Sequence, residues 1–292
     1  MIDTTTLIET ILRHYPELQV ETAVVNHDGQ YNVVLIVNNT LVFRFARVPA
    51  AVETLRQEIA LQTALHGRLS LQIPQPLYAH VETEAVGEAF VGYRMIGGTP
   101  LWRESFRAIS DEEARARMAT QLGHFLHELH HVPIGEIVPV GLRRHETREE
   151  MAAMYARIRD KLFAYMRPDA RRDVTAHFEP FFAAPDRYPF QPTLRHGDFG
   201  AGNILYDPDE LAIVGILDFG GAGIGDPAVD FAGLLTCYGE AFYHQCSAAY
   251  PEMLDALPRA RFYIGTFALQ EALFGIENDD MGAFERGMAR YL

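Results

Sequence analysis

The sequence predicts a two-lobed α+β protein, with a β-rich lobe over residues 1–96 and a mainly helical lobe over 97–292. Three features carry that expectation. A chain of 292 residues is long for one hydrophobic core. Its first hundred residues cluster β-branched and aromatic side chains between turn signals. Beyond Gly97-Gly98, most of the chain instead repeats its apolar residues at helical spacing.

Three strand-like runs come first: VETAVVNHDG, YNVVLIVNN and TLVFRFAR. Residues 50–66 then place Leu55, Ile59, Leu61 and Leu65 at helical spacing, the one helix expected in this lobe. Two further apolar stretches, PQPLYAH and AFVGYRMI, precede the paired glycines that mark the expected boundary. Beyond it, helices are expected over 111–131, 147–166 and 170–182, and over most of 227–250 and 258–291. The exception is a pair of short strands around residues 193–217.

Bulk composition narrows the function. The apolar fraction of 48% is that of a globular protein. No apolar run reaches the roughly eighteen residues of a membrane span. The opening MIDTTTLIETILRHYP has no basic segment followed by an apolar one, so no secretory signal is expected. Two cysteines, Cys237 and Cys246, make no disulfide framework, which fits a reducing cytoplasm. A net charge of −14 disfavours nucleic acid and is compatible with a small cationic substrate.

The chemistry concentrates in LRHGDFGAGNILYD and GILDFGGAGIGDPAVD. His196-Gly197-Asp198 stands where PTLR, read as a buried strand, turns outward. Asn203 follows closely enough for a loop to bring its amide back beside Asp198. Asp218 ends the apolar run LAIVGIL, so its carboxylate emerges at a strand end. One carboxylate near a substrate hydroxyl, with a second carboxylate and an amide oxygen around a hard cation, suits phosphoryl transfer from a nucleotide. Singly each residue is an ordinary turn former. Together, H-x-D-x-x-x-x-N followed by D-F-G is a specific pattern.

That pattern resembles the kinase-like phosphotransferases, and most closely the aminoglycoside phosphotransferase family. The resemblance rests on His196-Gly197-Asp198, Asn203, Asp218 and Asp226-Pro227-Ala228-Val229-Asp230, and the β-rich lobe extends it over almost the whole chain. It implies a protein-kinase-like fold with a nucleotide between the lobes. It further implies Asp198 as catalytic base, Asn203 and Asp218 as Mg²⁺ ligands, and His196 and Asp230 as braces of the loop. Asp28-Gly29-Gln30-Tyr31-Asn32 takes the place of the phosphate-covering loop, with Asn32 at its end. Arg44 takes the position of the usual kinase lysine, with Glu58 as its helix partner. Arg94, Met95 and Ile96 resemble the hinge whose backbone reads the purine of ATP or GTP.

Gly197 stands where protein kinases carry an arginine, and the segment after Asp218 is too short for a peptide platform. The resemblance therefore implies a small-molecule acceptor. An amino sugar is polycationic, so its pocket needs further carboxylates. Glu240 and Glu271 are the expected substrate-binding residues, resembling the acidic wall of the branch that phosphorylates the 2''-hydroxyl. Glu277, Asp279 and Asp280 are expected to be solvated surface charges. Competing expectations are a kinase for choline, homoserine, a sugar-like compound or a macrolide, and an inactive nucleotide-binding module. His127-Glu128-Leu129-His130-His131 matches the zinc-protease pattern H-E-x-x-H but ends a helix, where packing is the expected role. Gly221-Ala222-Gly223-Ile224-Gly225 lacks dinucleotide-motif spacing.

Overall fold

In the computed structural model, which describes residues 3–26, 31–137, 140–145, 147–183 and 189–292, the chain opens with a helix that the strand-rich reading does not anticipate. This helix, α1 (Thr4–His14), is capped by Asp3, whose side chain accepts from the Thr6 N–H at 2.8 Å. Leu7 and Ile11, four residues apart, form its buried stripe. Strands β1 (Ala23–Asn26), β2 (Asn32–Val37) and β3 (Leu41–Ala46) follow, then α2 (Pro49–Ala64), β4 (Pro76–His80) and β5 (Phe90–Arg94). The five strands pair antiparallel in the order β1-β2-β3-β5-β4.

Alternation along β3 assigns its residues to opposite faces. Phe43 and Phe45 join Leu7, Ile11, Leu35 and Phe90 beneath α1. Ala46 lies on the other face, in a cluster with Ala51, Val52 and Leu55 of α2. Arg44, between the two phenylalanines, shares the face of Ala46. It is thereby directed at α2, where Glu58 lies on the buried stripe with Leu55, Leu61 and Gln62.

The remainder is mainly helical. A short β6 (Thr99–Pro100) leads into α3 (Arg103–Ala108), α4 (Glu112–His130), α5 (Ile134–Ile137), α6 (Thr147–Lys161) and α7 (Pro168–Ala183). Then come β7 (Thr193–Arg195), β8 (Ile204–Asp207), β9 (Ala212–Ile216) and β10 (Gly223–Gly225), and finally α8 (Ala228–Cys246), α9 (Met253–Glu277) and α10 (Met281–Met288). The helical pattern expected over 258–291 is thus two helices. Asp280 caps the second of them through the Ala283 N–H. One large apolar core binds these elements, and it also takes in Leu61, Leu65, Leu71 and Ile73. The C-terminal half of α2 and the segment after it are therefore shared between the β-rich and helical parts.

Two small sheets hold the loops of interest. β7 pairs with β10, and β8 pairs with both β6 and β9. Gly98, at φ 101, brings the chain from β5 onto the second of these, and a Cβ there would sit 2.7 Å from the Tyr206 carbonyl oxygen. No helix among the described residues is long and apolar enough to cross a membrane.

Candidate active site

The loop after β7 is organised from below by one buried carboxylate. Asp230, in the first turn of α8, accepts from the His196 N–H at 2.7 Å and the Gly197 N–H at 2.8 Å. Its Oδ2 also lies 3.0 Å from His130 Nε2 on α4. Burial by itself would raise the Asp230 carboxyl. The hydrogen bond and charge of His130 and the Gly197 N–H outweigh it, and the group titrates below its ordinary value. His196 Nε2 lies 2.8 Å from the Leu217 carbonyl oxygen, and its Nδ1 receives the Asp198 N–H at 3.3 Å. The imidazole is thus the Nε2–H tautomer, tying the 196–198 loop to the end of β9.

Gly197 requires its glycine. It adopts φ +85, and a Cβ would stand 2.0 Å from the Gly221 carbonyl oxygen. A Cβ at Gly221 itself would meet its neighbours only at ordinary contact distance, 3.4 Å or more. Gly223 and Gly225 leave room on β10 for the side chains of His145 and Arg195. These two glycines of the repeat serve close packing.

With the loop set, Asp198 is exposed while its neighbour Phe199 is buried. Asn203 Nδ2 donates to the Asp198 carbonyl at 2.9 Å and to Asp198 Oδ2 at 3.0 Å. That leaves Asn203 Oδ1 as the amide's free acceptor. Asp218 adopts the left-handed conformation, φ 60, which lifts its carboxylate out of the β9 ladder. Its Oδ1 receives Arg44 Nη2 at 3.0 Å and the Gly220 N–H at 3.3 Å. Burial pulls the Asp218 pKa upward, but the Arg44 charge and these donors bring it below the ordinary value, so the carboxylate is ionised at neutral pH.

Arg44 joins the two parts of the site. Its Nη1 donates to Glu58 Oε1 at 2.6 Å while Nη2 holds Asp218. Glu58 Oε1 also receives the Phe219 N–H at 3.2 Å and Gln62 Nε2 at 3.1 Å. A cavity of about 650 Å³ opens above this cluster, bordered by Asn32, Arg44, Thr54, Asp198, Asp218 and Gly220. Asn32 Oδ1 is a buried acceptor there without a partner among the described residues. Of the proposed phosphate-covering loop, only Tyr31 and Asn32 lie within the described residues.

The hinge residues stand outside that cavity. Arg94 ends β5 exposed, Met95 is exposed and Ile96 is buried. The Met95 N–H donates to the Thr40 carbonyl at 2.8 Å, so it is already engaged and cannot read a base without breaking that bond. Glu240 and Glu271 border neither this cavity nor the one described next. Gly239, at φ 84 and ψ 175, breaks α8 just before Glu240, so the run from Asp230 does not continue in helical register. Glu240 instead receives Arg261 Nη2 at 2.7 and 2.8 Å, which holds its carboxyl below the ordinary value. Glu271 receives Arg286 at 2.7 Å. Glu277 is not a free solvated charge: Lys161 at 2.7 Å and Arg157 at 3.0 Å hold it down to about 2.

A second cavity, about 400 Å³, reaches Gly197 from the side of α6 and α9. It is bordered by Arg143, His145, Glu150, Arg157 and Arg195, residues that motif spacing does not single out. The sequence carries one signal of it: Arg195 is a charge inside the otherwise apolar strand preceding His196. The H-E-x-x-H stretch proves to be packing. The rings of His127 and His131 stack with centroids 4.0 Å apart, Glu128 accepts the Ser70 N–H, and His130 turns inward to Asp230. Among the described residues no cluster of three or more His, Cys, Asp or Glu side chains is arranged to hold a metal.

Comparison with known proteins agrees with this layout. Viomycin phosphotransferase of Streptomyces vinaceus is 28% identical over 275 residues, covering 91% of each chain. A GDP and kanamycin complex of APH(2'')-IIIa superposes with a TM-score of 0.90 at 25% identity, covering 97% of this chain and 95% of the other. Macrolide 2'-phosphotransferase type I shares the fold, with a TM-score of 0.79 at 20% identity over 99% and 96% of the two chains. The model of the phosphotransferase enzyme family matches residues 22–263. With a five-stranded sheet packed on a helical body and the loops above held between them, this chain belongs to the phosphotransferase enzyme family and has its kinase-like fold.

Proposed function

We propose that this protein transfers the γ-phosphate of ATP or GTP to a hydroxyl of a small molecule, with the nucleotide held between residues 1–96 and the helical body of 97–292. One observation carries the reading: Asp198, Asp218 and Arg44 border a single cavity, and Asn203 is hydrogen-bonded to Asp198 at its edge. The GDP and kanamycin complex of the 25%-identical relative supports a nucleoside triphosphate donor. Asp198 is the base that takes the acceptor proton, oriented by the Asn203 amide. Asn203 Oδ1 and Asp218 Oδ2, for which no hydrogen bond is made among the described residues, are hard oxygen donors. They fit a Mg²⁺ ion that keeps phosphate and water as its remaining ligands. When bound, that ion neutralises phosphate charge. Arg44 moves its second Nη from Asp218 toward phosphate oxygen, while Glu58 holds the rest of the guanidinium in place.

The relative's kanamycin supports an aminoglycoside acceptor phosphorylated at the 2''-hydroxyl. The distribution of charge supports a second reading, a metabolic hydroxyl compound. Glu240 and Glu271 are neutralised by Arg261 and Arg286, and the cavity at Gly197 carries more arginine than carboxylate.

The test is nucleotide consumption and ³¹P detection of product, with ATP and GTP each tried against kanamycin, a macrolide, choline, homoserine and sugars. Asp198→Asn should lower transfer by about 10²–10⁴-fold while nucleotide still binds. Undiminished transfer in that variant would remove Asp198 from the mechanism. Asp218→Ala should abolish the Mg²⁺ dependence of nucleotide affinity; a dependence like that of the parent would show that Asp218 is no ligand.

A further inference from the structure

Among the described residues, Arg195 at the cavity that reaches Gly197 is a cation without an ion-pair partner. Arg195 is only 9% exposed, and its Nε has no hydrogen-bond partner among the described residues. The other two guanidinium groups at this cavity are matched. Arg143 donates to Glu150 at 2.8 Å, and Arg157 donates to Glu277 at 3.0 Å. Glu150, the carboxylate among the described residues bordering this cavity, is further engaged by His145 Nδ1 at 3.1 Å. No ion pair forms at Arg195 among the described residues.

A buried guanidinium without a partner is costly in the free protein. Its housing is nevertheless built into the fold. Arg195 is the last residue of β7, paired with Gly223 of β10, and the ribbon opposite it reads Gly-Ile-Gly. A Cβ at Gly225 would stand 3.2 Å from Arg195 Nε. Two residues further along the chain from β7 the backbone reaches Gly197 and then Asp198, so this side chain and the base issue from one short segment. Gly197 itself borders the cavity.

We infer that Arg195 receives an anionic oxygen group of the acceptor, a carboxylate or a phosphate, while the acceptor's hydroxyl is presented to Asp198. The inference rests on the reaction proposed above and names the class of its acceptor: a hydroxy compound carrying a negative charge. The planar guanidinium fork matches either anion through two parallel hydrogen bonds. The low exposure of Arg195 strengthens that pairing over one at the surface. A polycation, by contrast, would meet like charge here.

Binding of matched pairs tests it whatever the natural acceptor is. Gluconate against glucitol isolates the carboxylate; glucose 6-phosphate against glucose isolates the phosphate. With Mg²⁺-ADP present, the thermal midpoint of the parent protein should rise with one anion of these pairs and not with its neutral mate. Arg195→Gln should weaken that binding by roughly tenfold or more and leave ADP affinity unchanged, while Arg195→Lys restores part of it. The melting temperature of ligand-free Arg195→Met should equal or exceed that of the parent, because an unpaired buried charge is removed. That measurement also separates a folding defect from a binding one.

The inference is overturned if neither anion stabilises the parent, if both stabilise Arg195→Gln equally well, or if kanamycin alone binds. Failure of the reaction itself reads differently. A parent protein that binds gluconate or glucose 6-phosphate through Arg195, yet transfers phosphate from neither ATP nor GTP to any hydroxyl compound, defeats the proposed reaction and leaves the anion site standing.

Discussion

At the scale of single residues, Asp230 does more for the site than any group that faces the cavity. Its two oxygens satisfy the N–H groups of His196 and Gly197 and meet His130, all in the protein interior. Removing it strands two backbone donors at the foot of the catalytic loop. Asp230→Ala should therefore cost about 3–5 kcal/mol in stability, read from urea denaturation at pH 7. The pH dependence comes from the direction of its titration. A carboxyl held below its ordinary value stabilises the fold at all pH above that value, about 3.9, and the contribution is lost as pH falls through the lower folded value. The stability difference between parent and Asp230→Asn should thus be constant from pH 7 to about pH 5 and narrow only below the ordinary aspartate value. A difference that already vanished near pH 6 would show that the Asp230 carboxyl is not the group that sets it.

At the scale of elements, glycines decide how loops and helices meet. Gly197 and Gly239 share nearly the same φ, +85 and +84, but differ in surroundings. A Cβ at Gly197 meets the Gly221 carbonyl at 2.0 Å, whereas nothing lies within 4 Å of one at Gly239. Gly239→Ala should then cost only the backbone strain of its conformation, φ 84 and ψ 175, which is essentially reserved to glycine, about 1–3 kcal/mol. Gly197→Ala carries that cost plus the displacement of the 218–221 turn from the catalytic loop. It should be markedly less stable than Gly239→Ala in denaturant and should lose nucleotide-dependent stabilisation. Equal stability of the two variants would mean that the 197–221 contact is soft. The Gly239 break also decides the direction of Glu240, which an unbroken α8 would carry elsewhere.

At the scale of the whole molecule, a buried polar bridge joins the sheet to the helical body. Arg44 on β3 links Glu58 on α2 to Asp218 after β9, and Glu58 in turn holds the Phe219 N–H. Burial isolates the pair from solvent, since the Arg44 and Glu58 side chains are 10% and 1% exposed. Glu58→Ala leaves a buried guanidinium with half its partners and frees the turn that carries Asp218. Nucleotide affinity should fall by roughly tenfold or more, with amide exchange at 218–221 accelerating in the same variant. Unchanged exchange there alongside weakened binding would restrict the role of Glu58 to Arg44 alone.

Periodicity and motif spacing by themselves supplied the strands and the helix of residues 23–94, most helices of 111–246, and Asp198, Asn203 and Asp218 as candidates within a phosphotransferase-like pattern. These are local properties: alternation, helical repeats and turn residues depend on near neighbours in the chain. The pairing of Glu58 with Arg44 came from the resemblance, and the structure places Glu58 on the buried stripe of α2. Helix α1 is not legible in this way because it is short, it opens on three β-branched threonines, and a cap by Asp3 is a weak signal. Only the tertiary structure decided which charges remain free. Arg261 comes to Glu240 and Arg286 to Glu271 through contacts set by how α8, α9 and α10 pack. Arg195 stays unpaired because no carboxylate among the described residues is brought to it. A side chain's partner across the fold is a property of packing, and chain order carries no record of it.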